Sequence, residues 1–154
     1  MASPRPIEPP AEAIHLSSVR VRYAETDKAG VVYHGNYLPW FEVGRTELLR
    51  GMGLAYAEFE KEFGLFLTVA EAHLQYIRPA RYDDVIEIGT WTSSVGRVRF
   101  RLDHRLRQEG SGEVLCRGHV VLACVGQDGR PVALPDELRI LLQVGLEQTG
   151  GKRP

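Results

Sequence analysis

Cysteine is scarce in this chain, with two residues in 154, Cys116 and Cys124. They lie eight positions apart in a stretch that reads as one extended strand. Their Cα atoms would then stand about 26 Å apart, far beyond the roughly 7 Å a disulfide spans. Two reduced, buried thiols are expected, as in a reducing compartment. Long apolar runs are missing too. No stretch approaches the roughly 20 apolar residues of a membrane helix. The first residues have neither the basic start nor the apolar core of a secretory signal. The expectation is a soluble, cytoplasmic protein with no membrane span. There is no excess of one charge: 19 Lys and Arg face 20 Asp and Glu, for a net charge of −1. That argues against a nucleic-acid binder driven by bulk electrostatics. Phosphate-cradling patterns of the G-x-x-x-x-G-K-[ST] or G-x-G-x-x-G type do not occur, nor does a G-x-S-x-G elbow. The five histidines are scattered without H-x-x-x-H spacing, so no metal is expected.

What is present suits one compact domain, with 44% apolar residues over 154 positions. Residues 1–13 carry Pro4, Pro6, Pro9 and Pro10 and read as a flexible tail. A second tail is expected over 145–154, leaving a domain at 14–144. Residues 16–24 alternate as a half-buried strand, with Leu16, Val19, Val21 and Tyr23 on its inner face. A glycine-bearing loop follows. Asn36 reads as an N-cap and Pro39 sits in a first helical turn. Tyr37, Trp40, Phe41, Gly44, Leu48 and Met52 then recur at helical spacing. The helix is apolar on most sides and should be the central one. Gly44 in its middle implies a close neighbour. A short helix over about 54–63 ends at Gly64. Strands follow at 66–78, 84–95, 97–108 and 113–126, with a short one at 131–134. A last amphipathic helix opens at Pro135-Asp136 and carries Leu138, Leu141 and Leu142. This order describes an α+β fold, one antiparallel sheet wrapped around one long helix. The sheet's other face has no helical layer to cover it, and self-association is the expected cover.

Chemistry is concentrated between Tyr23 and Tyr37. Asp27 is followed at once by a turn with Gly30 that runs into the start of the buried helix. Backbone N–H groups at a helix start carry partial positive charge and can hydrogen-bond an oxygen that becomes negative. A nearby carboxylate can attack the carbon bearing that oxygen, or activate water to do so. The same spacing also fits an Asp that merely closes a turn. On the next strand, Arg97, Arg99, Arg101, Arg105 and Arg107 share one face, against Val98, Phe100, Leu102, His104 and Leu106. Such a stripe fits a solvated surface as well as a phosphate grip.

The run Arg22-Tyr23-x-x-Thr26-Asp27-x-x-Gly30-Val31-Val32-Tyr33-His34-x-Asn36-Tyr37 resembles the signature of the 4-hydroxybenzoyl-CoA thioesterase family of the hotdog fold. Within it, the similarity is to the Tol–Pal-associated, YbgC-like acyl-CoA thioesterases of bacteria. Phe41-Glu42-x-x-Arg45-Thr46-Glu47 and Tyr76-x-x-Pro79-Ala80-x-Tyr82-Asp83-Asp84 extend the match, which spans about residues 15–142. The resemblance implies hydrolysis of an acyl- or aryl-CoA thioester to free acid and CoA, with no cofactor. It implies Asp27 as nucleophile or general base, and the main chain at His34 as the donor that polarises the thioester carbonyl. The His34 imidazole and Tyr33 are further catalytic candidates, although both tyrosines, Tyr23 and Tyr33, suit pocket lining better. Tyr23, Gly35, Gly96, Arg97 and Arg99 are implied in substrate binding, the last three by matching the stretch that contacts the nucleotide. Glu71, His73 and Gln75, on one face of their strand, read as interface or pocket lining. A homo-oligomer is implied, a dimer through the sheet edge and then a tetramer as a dimer of dimers. Acyl carrier protein is a further conceivable partner. The alternatives are a hotdog dehydratase or hydratase acting on CoA or carrier-protein thioesters, and a non-enzymatic module whose Arg stripe binds RNA or lipid.

Overall fold

A computed structural model describes residues 7–150. Its elements follow the changes of hydrophobic period in the sequence: β1 (His15–Arg20), α1 (Tyr37–Gly51), α2 (Tyr56–Phe63), β2 (Phe66–Tyr76), β3 (Val85–Val95), β4 (Arg99–Gln108), β5 (Val114–Val125) and α3 (Asp136–Gln148). The strands form one antiparallel sheet in the order β1-β3-β4-β5-β2. α1 crosses its inner face, which is the expected hotdog arrangement.

Alternation in β4 sends Phe100, Leu102, His104 and Leu106 into the core. The His104 ring stacks on Phe41 of α1, with centroids 4.4 Å apart. Gly44 does mark a close approach: a Cβ there would stand 2.5 Å from Thr90 Oγ1 and 2.7 Å from Ile88 Cγ2 of β3. The helix backbone rests directly on the strand. α3 adds Leu138, Leu142 and Leu146 to the same core. Cys116 and Cys124 are both free and buried in β5, as the strand-length argument requires.

Several local expectations differ from the structure. β1 stops at Arg20: Val21 N–H still bonds Asp84 O at 2.9 Å, but residues 23–25 curl into a 3₁₀ turn. Tyr23 therefore faces outward, 78% exposed, and Leu16 is also exposed, opposite Gly89 on the outer face. Asn36 makes no cap bond; its side chain donates to Glu25 O at 2.8 Å instead. Residues 131–134 contribute a single bridge, Val125 with Pro131. Elements and side-chain contacts also lie outside 14–144, which leaves the flexibility of the tails an expectation. Ala11–Ala13 form a 3₁₀ turn, the Glu8 carboxylate accepts from both Arg105 and Arg117, and α3 continues to Gln148 with Leu146 buried. Positions 1–6 and 151–154 of the expected tails lie outside the described residues.

Candidate active site

The loop between β1 and α1 buries Val21 and Val32 in the core and is otherwise held by polar bonds. Thr26 bridges Val32, Asp27 N–H bonds Val31 O at 2.9 Å, and Gly30 N–H bonds Asp27 O at 3.0 Å. Gly30 takes φ +79° at the tip, a conformation that costs other residues steric strain. The Asp27 Oδ1 atom accepts Ala29 N–H at 2.8 Å. Asp27 does close a turn, then, but with one oxygen. The carboxylate is exposed, and its second oxygen has no partner among the described residues.

After Tyr33 the chain makes a 3₁₀ turn, His34–Asn36, that leads straight into α1. Asn36 N–H bonds Tyr33 O at 2.9 Å. The N–H groups of His34 and Gly35 precede that bond and open the turn, where no earlier carbonyl of the turn can accept them. Gly35 has no room for a side chain, because a Cβ would lie 2.9 Å from the Tyr33 ring. That ring also packs on His34, with centroids 4.3 Å apart.

Two tyrosines tie this turn to the sheet. The Tyr76 hydroxyl donates to His34 O at 2.7 Å, and the Tyr37 hydroxyl accepts Ala80 N–H at 3.1 Å. Burial raises the pKa of both phenols above the usual value, so they remain protonated at neutral pH. A hollow of about 270 Å³ lined by Val32, His34, Tyr37, Tyr76, Ile77, Arg78 and Pro79 opens beside them. A second, about 330 Å³, lies between α1 and β2 and is lined mainly by Leu38, Pro39, Val69, Ala72 and Val120, with Glu42 and Arg45 at its polar side.

Of the expected site residues, Asp27, Tyr33, His34 and Gly35 share this loop. Tyr23 sits at its entrance, packed edge-on against Tyr82 at 5.8 Å. Gly96, Arg97 and Arg99 do not join them within one chain. The loop leaves the end of the sheet where Arg20 pairs with Val85. Gly96 follows Val95, at the other end of β3, about 33 Å away at about 3.3 Å per residue. Arg97 also precedes β4, so strand alternation does not govern its direction. The stripe divides in two. Arg101 pairs with Asp103, Arg105 with Glu8 and Glu87, and Arg107 with Glu87; Arg105 is only 7% exposed. Arg97 and Arg99 are exposed and have no acidic partner among the described residues. No group of three or more His, Cys, Asp or Glu among the described residues is placed to hold a metal ion.

One buried carboxylate escaped the sequence reading. Glu25, 7% exposed, accepts Trp40 Nε1–H at 3.1 Å and Arg22 N–H at 2.8 Å. Two signals pointed to it. Arg22 and Glu25 have the three-residue separation of a reciprocal cap, and a buried indole N–H needs an acceptor.

A wrapped helix with a carboxylate-bearing loop at its N-terminus defines a hotdog protein equipped for acyl chemistry. Residues 21–142 match the Thioesterase-like superfamily, and the chain belongs to that family. It is 34% identical over 122 residues to the acyl-CoA thioesterase YbgC of Haemophilus influenzae, covering 79% of this chain and 88% of that one. An 80-residue stretch is 42% identical to the Bacillus subtilis protein YneP; it covers 51% of this chain and 57%, under two thirds, of that relative. The DHNA-CoA thioesterase of Staphylococcus aureus superposes with a TM-score of 0.79 at 30% identity, covering 89% of this chain and 91% of the other.

Proposed function

We propose that this protein hydrolyses an acyl-CoA or aryl-CoA thioester to the free acid and CoA, with Asp27 as the reacting carboxylate. The observation that carries this reading is that one loop holds both the open Asp27 oxygen and, at the turn into α1, the His34 and Gly35 N–H groups, which have no partner among the described residues. A thioester carbonyl held by the His34 and Gly35 N–H groups gains negative charge as its carbon is attacked. Asp27 either attacks that carbon itself or takes a proton from the water that does. The C–S bond then breaks, the CoA sulfur leaves as thiolate, and water supplies the acid's new oxygen. Tyr33 and the His34 ring border the reacting carbon, and the apolar hollow between α1 and β2 suits an acyl chain.

The nucleotide half is held at a distance from this chemistry. Arg97 and Arg99 are the members of the stripe left without acidic partners, which is what a phosphate grip requires. They lie at the far end of their own sheet, so the reading places them beside the Asp27 loop of a second copy. β2 is one of the sheet's two edges, with its Tyr76 end at the loop and its Phe66 end near the β3–β4 connection that carries Gly96 and Arg97. Antiparallel pairing of two β2 edges brings opposite ends together.

The test is Asp27→Asn, which keeps shape and removes both nucleophile and base. kcat should fall at least about 100-fold with an unchanged circular dichroism spectrum. Turnover near the wild-type rate would reject the reading.

A further inference from the structure

The tip of the loop that carries Asp27 has no apolar anchorage of its own, although Val21 before it and Val32 after it are buried. Asp27, Lys28, Ala29 and Gly30 are all exposed, so their position depends on polar bonds made by their neighbours. Thr26, Asp27, Gly30 and Val32 bond within the loop or to Ala80, and the bonds that join its two ends to α1 meet at one residue. Glu25 O accepts Tyr33 N–H at 2.9 Å and the Asn36 side chain at 2.8 Å. Its carboxylate accepts Arg22 N–H at 2.8 Å and Arg22 Nε–H at 3.3 Å with Oε1, and Trp40 Nε1–H at 3.1 Å with Oε2. Glu25 thus touches the chain entering the loop, the chain leaving it, and the buried face of α1. Asp27 lies two residues after it, and His34 directly follows Tyr33.

We propose that Glu25 is a positioning residue, whose buried carboxylate on the Trp40 indole and the Arg22 main chain holds the Asp27 oxygen in register with the N–H groups of the His34 turn. The inference rests on the thioesterase reading above and adds a residue that does not touch substrate. A carboxylate is needed because three N–H donors point at it and none of them accepts. A glutamine has one acceptor oxygen and an NH₂ group. Whichever way it turns, an N–H of Trp40 or Arg22 then faces another donor. The loop must shift to relieve that contact, and a shift of about 1 Å at a reacting group can cost about 100-fold in rate.

A residue that only stabilised the fold would lower the melting temperature and affect activity equally whatever else the site contained. A positioning residue acts through Asp27, so its effect depends on Asp27 being there. The experiment is a cycle of Glu25→Gln and Asp27→Asn, each alone and together, assayed with acyl-CoA. Glu25→Gln should lower kcat about 10-fold or more while KM stays within about threefold. In the Asp27→Asn background the same change should alter the residual rate less than threefold. Trp40→Phe removes the donor from the helix side, leaves the Glu25 charge in place, and should show the same split between kcat and KM. It serves as the readout if Glu25→Gln does not fold. A folded Glu25→Gln enzyme with kcat within twofold of wild type overturns the proposal, as does an equal loss in both backgrounds. Wild-type kcat in Asp27→Asn alone overturns Asp27 as the reacting carboxylate, and this inference with it; no acyl-CoA turnover by the wild-type protein overturns the thioesterase reading itself.

Discussion

His104 shows how strongly placement in the core alters a side chain. It is 1% exposed, its Nδ1 lies 3.0 Å from Thr90 Oγ1, and its Nε2 has no partner among the described residues. Burial, with Arg45 and His119 adding to it, pushes its pKa down from 6.5 to about 3. The unfolded chain takes up this proton near pH 6.5, whereas the folded chain resists until about pH 3. Between those values the unfolded state binds more protons, so stability falls as pH falls, by up to about 1.4 kcal/mol per pH unit. Melting temperature should therefore drop on acidification from pH 6.5 towards 3, and His104→Gln should flatten that part of the profile. An unchanged slope in the variant would assign the acid sensitivity to other groups. Cys116 behaves as the opposite case: burial pushes its thiol up to about 12, which makes it an inert core residue.

The contact between α1 and β3 sets how near the helix lies to the sheet, and hence where the loop ahead of it arrives. Gly44 permits that distance. Alanine there would gain about 1 kcal/mol of helix propensity, but its Cβ would stand 2.5 Å from Thr90 Oγ1 and 2.7 Å from Ile88. Overpacking of this kind costs about 1–3 kcal/mol, so the net effect of Gly44→Ala should be destabilising. A denaturant midpoint below wild type, with an unchanged m-value, is the expected result; a midpoint above it would contradict the close packing. β2 presents a different problem. Eleven residues long and last in the sheet order, it leaves a row of unpaired backbone groups. Phe66, Val69 and Tyr76 on it are exposed.

A whole active site, on the proposed reading, needs two chains. Light scattering should give a mass of at least a dimer. Complementation provides a sharper measurement. Asp27→Asn protein mixed with Arg97→Ala/Arg99→Ala protein should form heterodimers in which one site has both its own Asp27 and its partner's arginines. Random exchange makes about a quarter of all sites native in a two-fold dimer. At low substrate, activity should rise to about that fraction of wild type, well above either parent. If the mixture only averages its parents, Asp27 and the arginines do not serve one site across subunits.

Much of this molecule was legible along the chain because hydrophobic period is a local property. The 3.6-residue spacing of Trp40, Phe41, Gly44 and Leu48 placed the central helix, and the alternation from Phe100 to Leu106 placed β4. Gly64, at φ +62°, placed the end of α2. The Asp27 loop was readable because its turn chemistry lies in consecutive residues. Other features depend on contacts between distant positions. Arg105 looked like one more arginine on a solvated face; it is buried because Glu8, 97 positions away, folds back onto it. Glu25 looked like any polar loop residue until Trp40 donated to it from the next element. Family resemblance implied Arg97 and Arg99 in nucleotide binding without saying which copy's site they serve, and β3 separates them from the Asp27 loop of their own chain by its full length. Local pattern sets which element a residue joins, whereas the partners of a charged or hydrogen-bonding side chain follow from how the elements meet.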